Sequence, residues 1–182
     1  MKCTAAAVIG LVSFCLTACQ TASSSASGSR PVVQAATAQE KQATIDRVKA
    51  LKGTWNIVED DGKVQGQTVF SVGGGGTVRE VMFAGSEHEM TNMYHMDGPA
   101  IVCTHYCAMG NQPRMKCVAS GAPGDSIRFT LDRVSNLRKP DEACMREMVL
   151  TFKDANTIEQ RWISFKADEK TEEVVFTLKR AG

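Results

Sequence analysis

The chain has 182 residues, 43% of them hydrophobic, enough for one domain of ordinary size with its own core. Lysine plus arginine (21) almost balances aspartate plus glutamate (20), for a formal net charge of +1. No basic stripe breaks that balance, so a nucleic-acid partner has no electrostatic footing.

The chain opens "MKCTAAAVIGLVSFCLTACQ". Lys2 supplies a positive start, and residues 5–16 form an apolar run without charge. A helix needs roughly 20 apolar residues to cross a bilayer, so this run is too short to span. Its form is that of a secretory signal peptide over residues 1–18. Leu16-Thr17-Ala18-Cys19 resembles a bacterial lipobox. The resemblance implies that Cys19 is the mature N-terminus, carrying a diacylglycerol thioether and an N-acyl chain. The alternative is an ordinary signal peptide cleaved nearby. More than one acyl chain anchors a protein stably. The expected partner is therefore a lipid bilayer, and the expected location is the bacterial cell envelope. Gln20, rather than Asp, follows the cysteine, which by analogy with enteric sorting points to the outer membrane. Residues 19–36, rich in Ser and Ala, read as a flexible tether. The folded domain is expected over residues 37–182.

Residues 37–51 read as a helix. Thr37 and Glu40 have the Thr-x-x-Glu spacing of a capping box, in which each side chain satisfies a free amide of the first turn. Ile45, Val48 and Leu51 make an apolar stripe, and Gly53 is a natural stop.

Everything beyond is short and strand-like. The expected strands are 54–59, 65–72, 77–84, 90–96, 100–107, 115–119, 126–133, 145–153, 157–165 and 173–180. Turn chemistry separates them, as in Asp60-Asp61-Gly62, the glycine run 73–76, Asp97-Gly98 and Asp154-Ala155-Asn156. Period-two alternation is clear in Ile127/Phe129/Leu131, Met148/Leu150/Phe152 and Val174/Phe176/Leu178. The pattern predicts an all-β fold: a closed antiparallel meander barrel of about ten strands behind a short N-terminal helix, since closure removes vulnerable edges. A barrel of about ten strands is expected to leave a cavity.

"GTW" at 53–55, opening the first strand after a helix, resembles the Gly-x-Trp start of lipocalin-like, or calycin, barrels. Arg180 matches the basic residue that lies across that tryptophan in those folds. The resemblance thus implies a structural pair, Trp55 and Arg180. The wider set "LKGTW", "GGGTVREVMFAG", "HEMTNMYHMDG" and "THYCAMGNQPRM" resembles a bacterial domain family of unknown function with a lipocalin-like barrel. It covers most of residues 50–180 and implies fold more than activity. Nitrobindin-like barrels are more distant fold relatives, and they bind haem. Their haem ligand lies in the C-terminal half of the barrel domain, whereas the three histidines of this chain, His88, His95 and His105, all lie in the first half of residues 37–182.

Four cysteines follow Cys19: Cys103, Cys107, Cys117 and Cys144. Cys103 and Cys107 would stand about 13 Å apart on one strand, too far to bond. If 104–116 is a hairpin, Cys103 falls nearly opposite Cys117, a disulfide candidate, with Cys107 and Cys144 as the complementary pair. The alternative is free buried thiols. Cys103-x-His105-x-Cys107 offers soft metal ligands, but three positions along a strand span too far for one tetrahedral site. Methionines crowd residues 82–115. They read as the lining of an adaptable pocket rather than as a metal site. No metal or other cofactor is predicted. His105 and Cys107 share a strand face, yet nothing marks an orienting third group, so no catalytic residue is assigned.

The expected function is non-catalytic binding of a small, partly apolar ligand in the barrel, with Tyr94, His105, Asn111, Gln112 and Arg114 as polar contacts. An equally weighted role for Asn111, Gln112 and Arg114 is to lock their own turn. The alternatives are an envelope scaffold with a filled barrel, and metal or haem binding in the barrel.

Overall fold

A sheet can close on itself only if each strand presents one apolar face inward, and alternation in this sequence supplies that face. The computed structural model describes residues 32–118 and 124–182. Cys19, the expected leader before it and most of the expected tether lie outside the described residues. Ten antiparallel strands form the barrel: β1 (Gly53–Val58), β2 (Val64–Val72), β3 (Val78–Met82), β4 (Met90–Asp97), β5 (Ala100–Tyr106), β6 (Gln112–Val118), β7 (Ser126–Ser135), β8 (Cys144–Asp154), β9 (Thr157–Lys166) and β10 (Glu169–Arg180). Each strand pairs with its neighbour in sequence, and β10 returns to β1, so the sheet has no free edge. This is the expected closed meander.

The predicted alternations face inward as read. Ile127 and Phe129, Met148 and Leu150, and Leu178 are buried, and Leu131, Phe152 and Phe176 pack against them. Fully burying side chains of this size contributes about 1.5–3 kcal/mol each. The Asp97-Gly98 turn joins β4 to β5. Gly98 sits at φ +60, and a Cβ there would come within 2.6 Å of Val33 Cγ1, so the position excludes a side chain twice over.

The single expected helix is two short ones. The Thr37–Glu40 capping box starts α1 (Ala38–Ala43), as predicted. Thr44 then leaves helical geometry at φ −132, ψ −88, and α2 (Ile45–Lys49) follows. Thr44 Oγ1 donates to Glu40 O at 2.6 Å, one of the local bonds by which threonine competes with a helix ladder. The break lets Ile45, Val48 and Leu51 turn onto the barrel core.

That helical plug is tied to the barrel seam. Trp55 and Arg180 are directly paired across β1 and β10. The Arg180 guanidinium lies 4.3 Å over the indole. It also donates to Lys52 O at 3.1 Å and Ala50 O at 3.2 Å, while Trp55 Nε1 donates to Leu51 O at 2.7 Å. One side chain therefore joins the last strand to the first and satisfies carbonyls at the end of α2. Arg180→Ala should lower stability by about 1–3 kcal/mol in urea unfolding, through the lost cation–π contact and the orphaned carbonyls. Arg180→Lys should recover only part of that, because an ammonium cannot make both bonds and stack. Wild-type stability in Arg180→Ala would refute the latch.

Candidate functional site

The inward face of β3 carries a carboxylate. Glu80 lies between Val78 and Met82, all three buried. Its Oε2 accepts from Asn92 Nδ2 at 2.8 Å and from the Tyr94 hydroxyl at 2.6 Å, and its Oε1 accepts from Gln160 Nε2 at 2.6 Å. Asn92 and Tyr94 alternate inward on β4, and Asn92 is Glu80's direct partner in the ladder. Gln160 comes from β9 and takes a 3.4 Å bond from Trp162 Nε1. All three neighbours donate to Glu80, the arrangement that solvates a carboxylate. Burial raises its pKa, and the three donors pull it back. No cation acts on it among the described residues.

A second link leads from Asn92 to His105. The Asn92 Nδ2 is committed to Glu80 and, at 3.3 Å, to Met82 Sδ. Its Oδ1 therefore accepts from His105 Nδ1 at 2.7 Å. That bond places the imidazole proton on Nδ1 and the lone pair on Nε2. Among the described residues Nε2 has no hydrogen-bond partner. The ring stacks on Trp162 with centroids 4.7 Å apart and a 43° tilt. Burial pushes the His105 pKa down to about 4, so the ring is neutral around pH 7.

His105 opens on a cavity of about 60 Å³, lined also by Met82, Met90, Met145 and Trp162, with Val174 and Phe176 beside them. The methionines come from β3, β4 and β8. Met145 faces inward because a bulge between Met145 and Glu147 inserts one residue. Met145 and Met148, three apart, thus point the same way. The cavity lies away from the Trp55–Arg180 latch, and half-buried Met90, Met145, Val174 and Phe176 separate it from solvent. It holds about two waters' worth of space. Haem does not fit.

The five polar contacts expected from sequence are not one constellation. Tyr94 and His105 face the interior. Gln112 and Arg114 are on the outer face of β6, so they do not reach the lumen, and this corrects the expected set. Arg114 is held between Asp97, at 2.6 Å, and Asp132. It lines an outer groove of about 380 Å³ with His95, Thr104 and Arg133. Gln112 Nε2 donates to Gly110 O at 2.8 Å, and Asn136 Nδ2 donates to the same carbonyl at 2.6 Å. Asn111 is buried and donates to Ala143 O at 3.1 Å. These residues hold the turn of which they are part.

The cysteines need a second correction. Cys103 pairs across the ladder with Met115, and Cys117 with Ile101. The pair expected to bond is two residues out of register, and all four cysteines are free. The cause is the turn. Gly110 N donates to Cys107 O at 2.9 Å, and Cys107 N donates to Asn111 O at 3.2 Å, so the reversal is complete by residue 111. Strand β6 then starts at Gln112, three residues earlier than expected. Pro113, taken for a turn residue, tolerates this because it precedes the first pair with β5, Thr104 to Arg114. Cys107 leaves the strand that carries His105, and burial raises its thiol pKa. Among the described residues, no three His, Cys, Asp or Glu side chains cluster as metal ligands.

Sequence reading missed Glu80's role, Asn92, Gln160, Trp162 and Met145. Their signal, polar residues at inward positions of alternating strands, was present for Glu80 between Val78 and Met82 and for Gln160 between Ile158 and Trp162. No protein-family model and no curated protein matches the chain.

A neutral buried histidine makes stability depend on pH. The folded pKa lies below the unfolded one, so the unfolded chain binds more protons between about pH 6.5 and 4. Stability is fully present above that window and is lost as pH falls through it. Glu80 acts in the opposite sense: its raised pKa lowers stability as pH rises through that value. In urea unfolding at stepped pH, His105→Gln should flatten the acid limb relative to wild type by up to about 3 kcal/mol. Identical acid limbs would mean that His105 is not held neutral.

Proposed function

We propose that this protein is a non-catalytic binding barrel of the bacterial cell envelope, held on its membrane through lipid at Cys19, with the His105 cavity as its binding site. The observation that carries the reading is the polarity of the interior. A barrel filled only for rigidity needs apolar packing. This one orients a histidine through a buried carboxylate and an asparagine, and that histidine lines a void. The size of the void narrows the expected ligand. Drug-sized ligands take clefts of roughly 300–1,000 Å³. A cavity of about 60 Å³ suits an ion or a molecule of a few heavy atoms. The flexible methionine walls can adjust to such a guest.

The lipocalin-like architecture and the Gly-x-Trp start support a relation to calycin-type barrels at the level of fold. Fold alone assigns no ligand. The competing reading, a filled scaffold, draws support from how little space remains.

Native mass spectrometry of protein released gently from its own membrane separates the two. We expect acyl chains at Cys19 and one small additional mass, absent from Val174→Phe, whose larger side chain fills the cavity. Xenon under pressure should move the methyl resonances of Met82, Met90 and Met145 in wild type and not in Val174→Phe. A bare polypeptide-plus-lipid mass together with no xenon response would leave the scaffold.

A further inference from the structure

We propose that the cavity beside His105 is a site for one soft monovalent cation of the Cu(I)/Ag(I) class, bound by the thioethers of Met82, Met90 and Met145 and by His105 Nε2. The proposal rests on the reading of this cavity as the binding site, and it names the ligand.

The donor set carries the argument. Three of the lining side chains end in thioether sulfur and one in imidazole nitrogen. Thioethers are neutral, soft and polarisable, and they select Cu(I) over harder divalent ions, which take oxygen, imidazole or thiolate. No carboxylate or thiol lines the cavity. The ligands expected from sequence, Cys103 and Cys107, are not part of it: Cys103 turns to Tyr94, and Cys107 lies in the turn.

The histidine is set up as a ligand. Metal-binding imidazoles donate their second ring N–H to a neighbour that fixes tautomer and orientation. Here Asn92 Oδ1 takes that proton at 2.7 Å, and Asn92 is itself fixed by Glu80. The same amide donates to Met82 Sδ at 3.3 Å. One side chain thus positions two of the four donors, leaving the sulfur a second lone pair. Trp162, stacked on His105, adds an indole wall, whose face attracts cations.

Glu80 stands one hydrogen bond behind this donor set, through Asn92, and its own three partners all donate to it, so the side chain that positions His105 and Met82 is itself fixed. The small volume favours a bare ion over a hydrated one, and soft monovalent ions shed water for sulfur readily.

The test uses the full-length protein in detergent, with ¹³C-labelled methionine methyls and ¹⁵N-labelled histidine. Ag(I) is titrated in air, and Cu(I) without oxygen against a chromophoric Cu(I) chelator. We expect the Met82, Met90 and Met145 methyls and His105 Nε2 to shift together and saturate at one ion per chain, with Zn(II) leaving them unmoved. M82L, M90L and M145L keep side-chain volume and should fold as wild type. Each should weaken binding by about 10- to 100-fold. Shifts confined to cysteines or to other methionines would overturn the proposal, as would wild-type affinity in all three variants. If xenon enters the cavity while Ag(I) leaves those four groups unmoved, the cation fails and the binding cavity stands. If neither enters, both fail.

Discussion

A carboxylate at the centre of a barrel has to be solvated by the barrel itself, and this constraint organises the interior. Water would otherwise solvate Glu80, and in its place stand the amides of Asn92 and Gln160 and the hydroxyl of Tyr94. Those donors come from β4 and β9, strands far apart in the sequence and on different parts of the wall. Each must keep one rotamer to serve, and each holds a neighbour in turn. Gln160 takes the Trp162 indole N–H, and Asn92 takes the His105 N–H. Tyr94 packs edge-on against Phe129 at 5.9 Å. An apolar residue at position 80 would avoid the desolvation cost, and such replacements are often neutral or stabilising where all partners are replaced too. A single replacement here would leave three donors without an acceptor and release the chain that orients His105. Glu80 is therefore better understood through what it positions than through what it stabilises.

The two ends of the barrel divide the work. At one end, Arg180 closes the seam, stacks on Trp55 and satisfies the end of α2. Ile45, Val48 and Leu51 fill the space beneath. The arrangement is rigid because the guanidinium and the indole both hold carbonyls of the helical segment while apolar side chains pack beneath them. At the other end the lining is methionine, half-buried and unbranched, around the one imidazole of the interior. Rigid closure at the first end lets the second be adaptable without loss of the fold.

Much of the architecture was legible because alternation is a local property. Inward positions such as Ile127, Phe129 and Leu178 follow from period two and need no knowledge of the partner strand. The Thr37–Glu40 box and the Asp97-Gly98 turn are equally local. The candidate site was not legible, for reasons that are each physical. Glu80 and Gln160 meet across 80 residues, a contact that only closure creates. Met145 faces inward only because a bulge breaks the alternation read from Met148, Leu150 and Phe152. A second bulge, between Arg114 and Met115, inserts Asp132 on the opposite strand and brings its carboxylate to Arg114 and Lys116. The cysteine register failed by two residues because a proline-containing segment was read as turn when it is strand.

The segment 104–115 is dense in polar side chains, most of which serve the fold rather than line the cavity. Only His105 among its polar side chains reaches the cavity. Asn111, Gln112 and Arg114 do not line it. Asn111 reaches past the neighbouring strand to Ala143 O, next to Cys144 and two residues from Met145. Gln112 and Asn136 fix the carbonyl of Gly110 at the same turn. The end of β5, which bears His105, is thereby tied to the start of β8, which bears Met145. Both side chains line the void, so Asn111 links two of its walls without touching it. The polar turn ties the two strands together through the carbonyls of Gly110 and Ala143, and that is where its amide side chains are engaged.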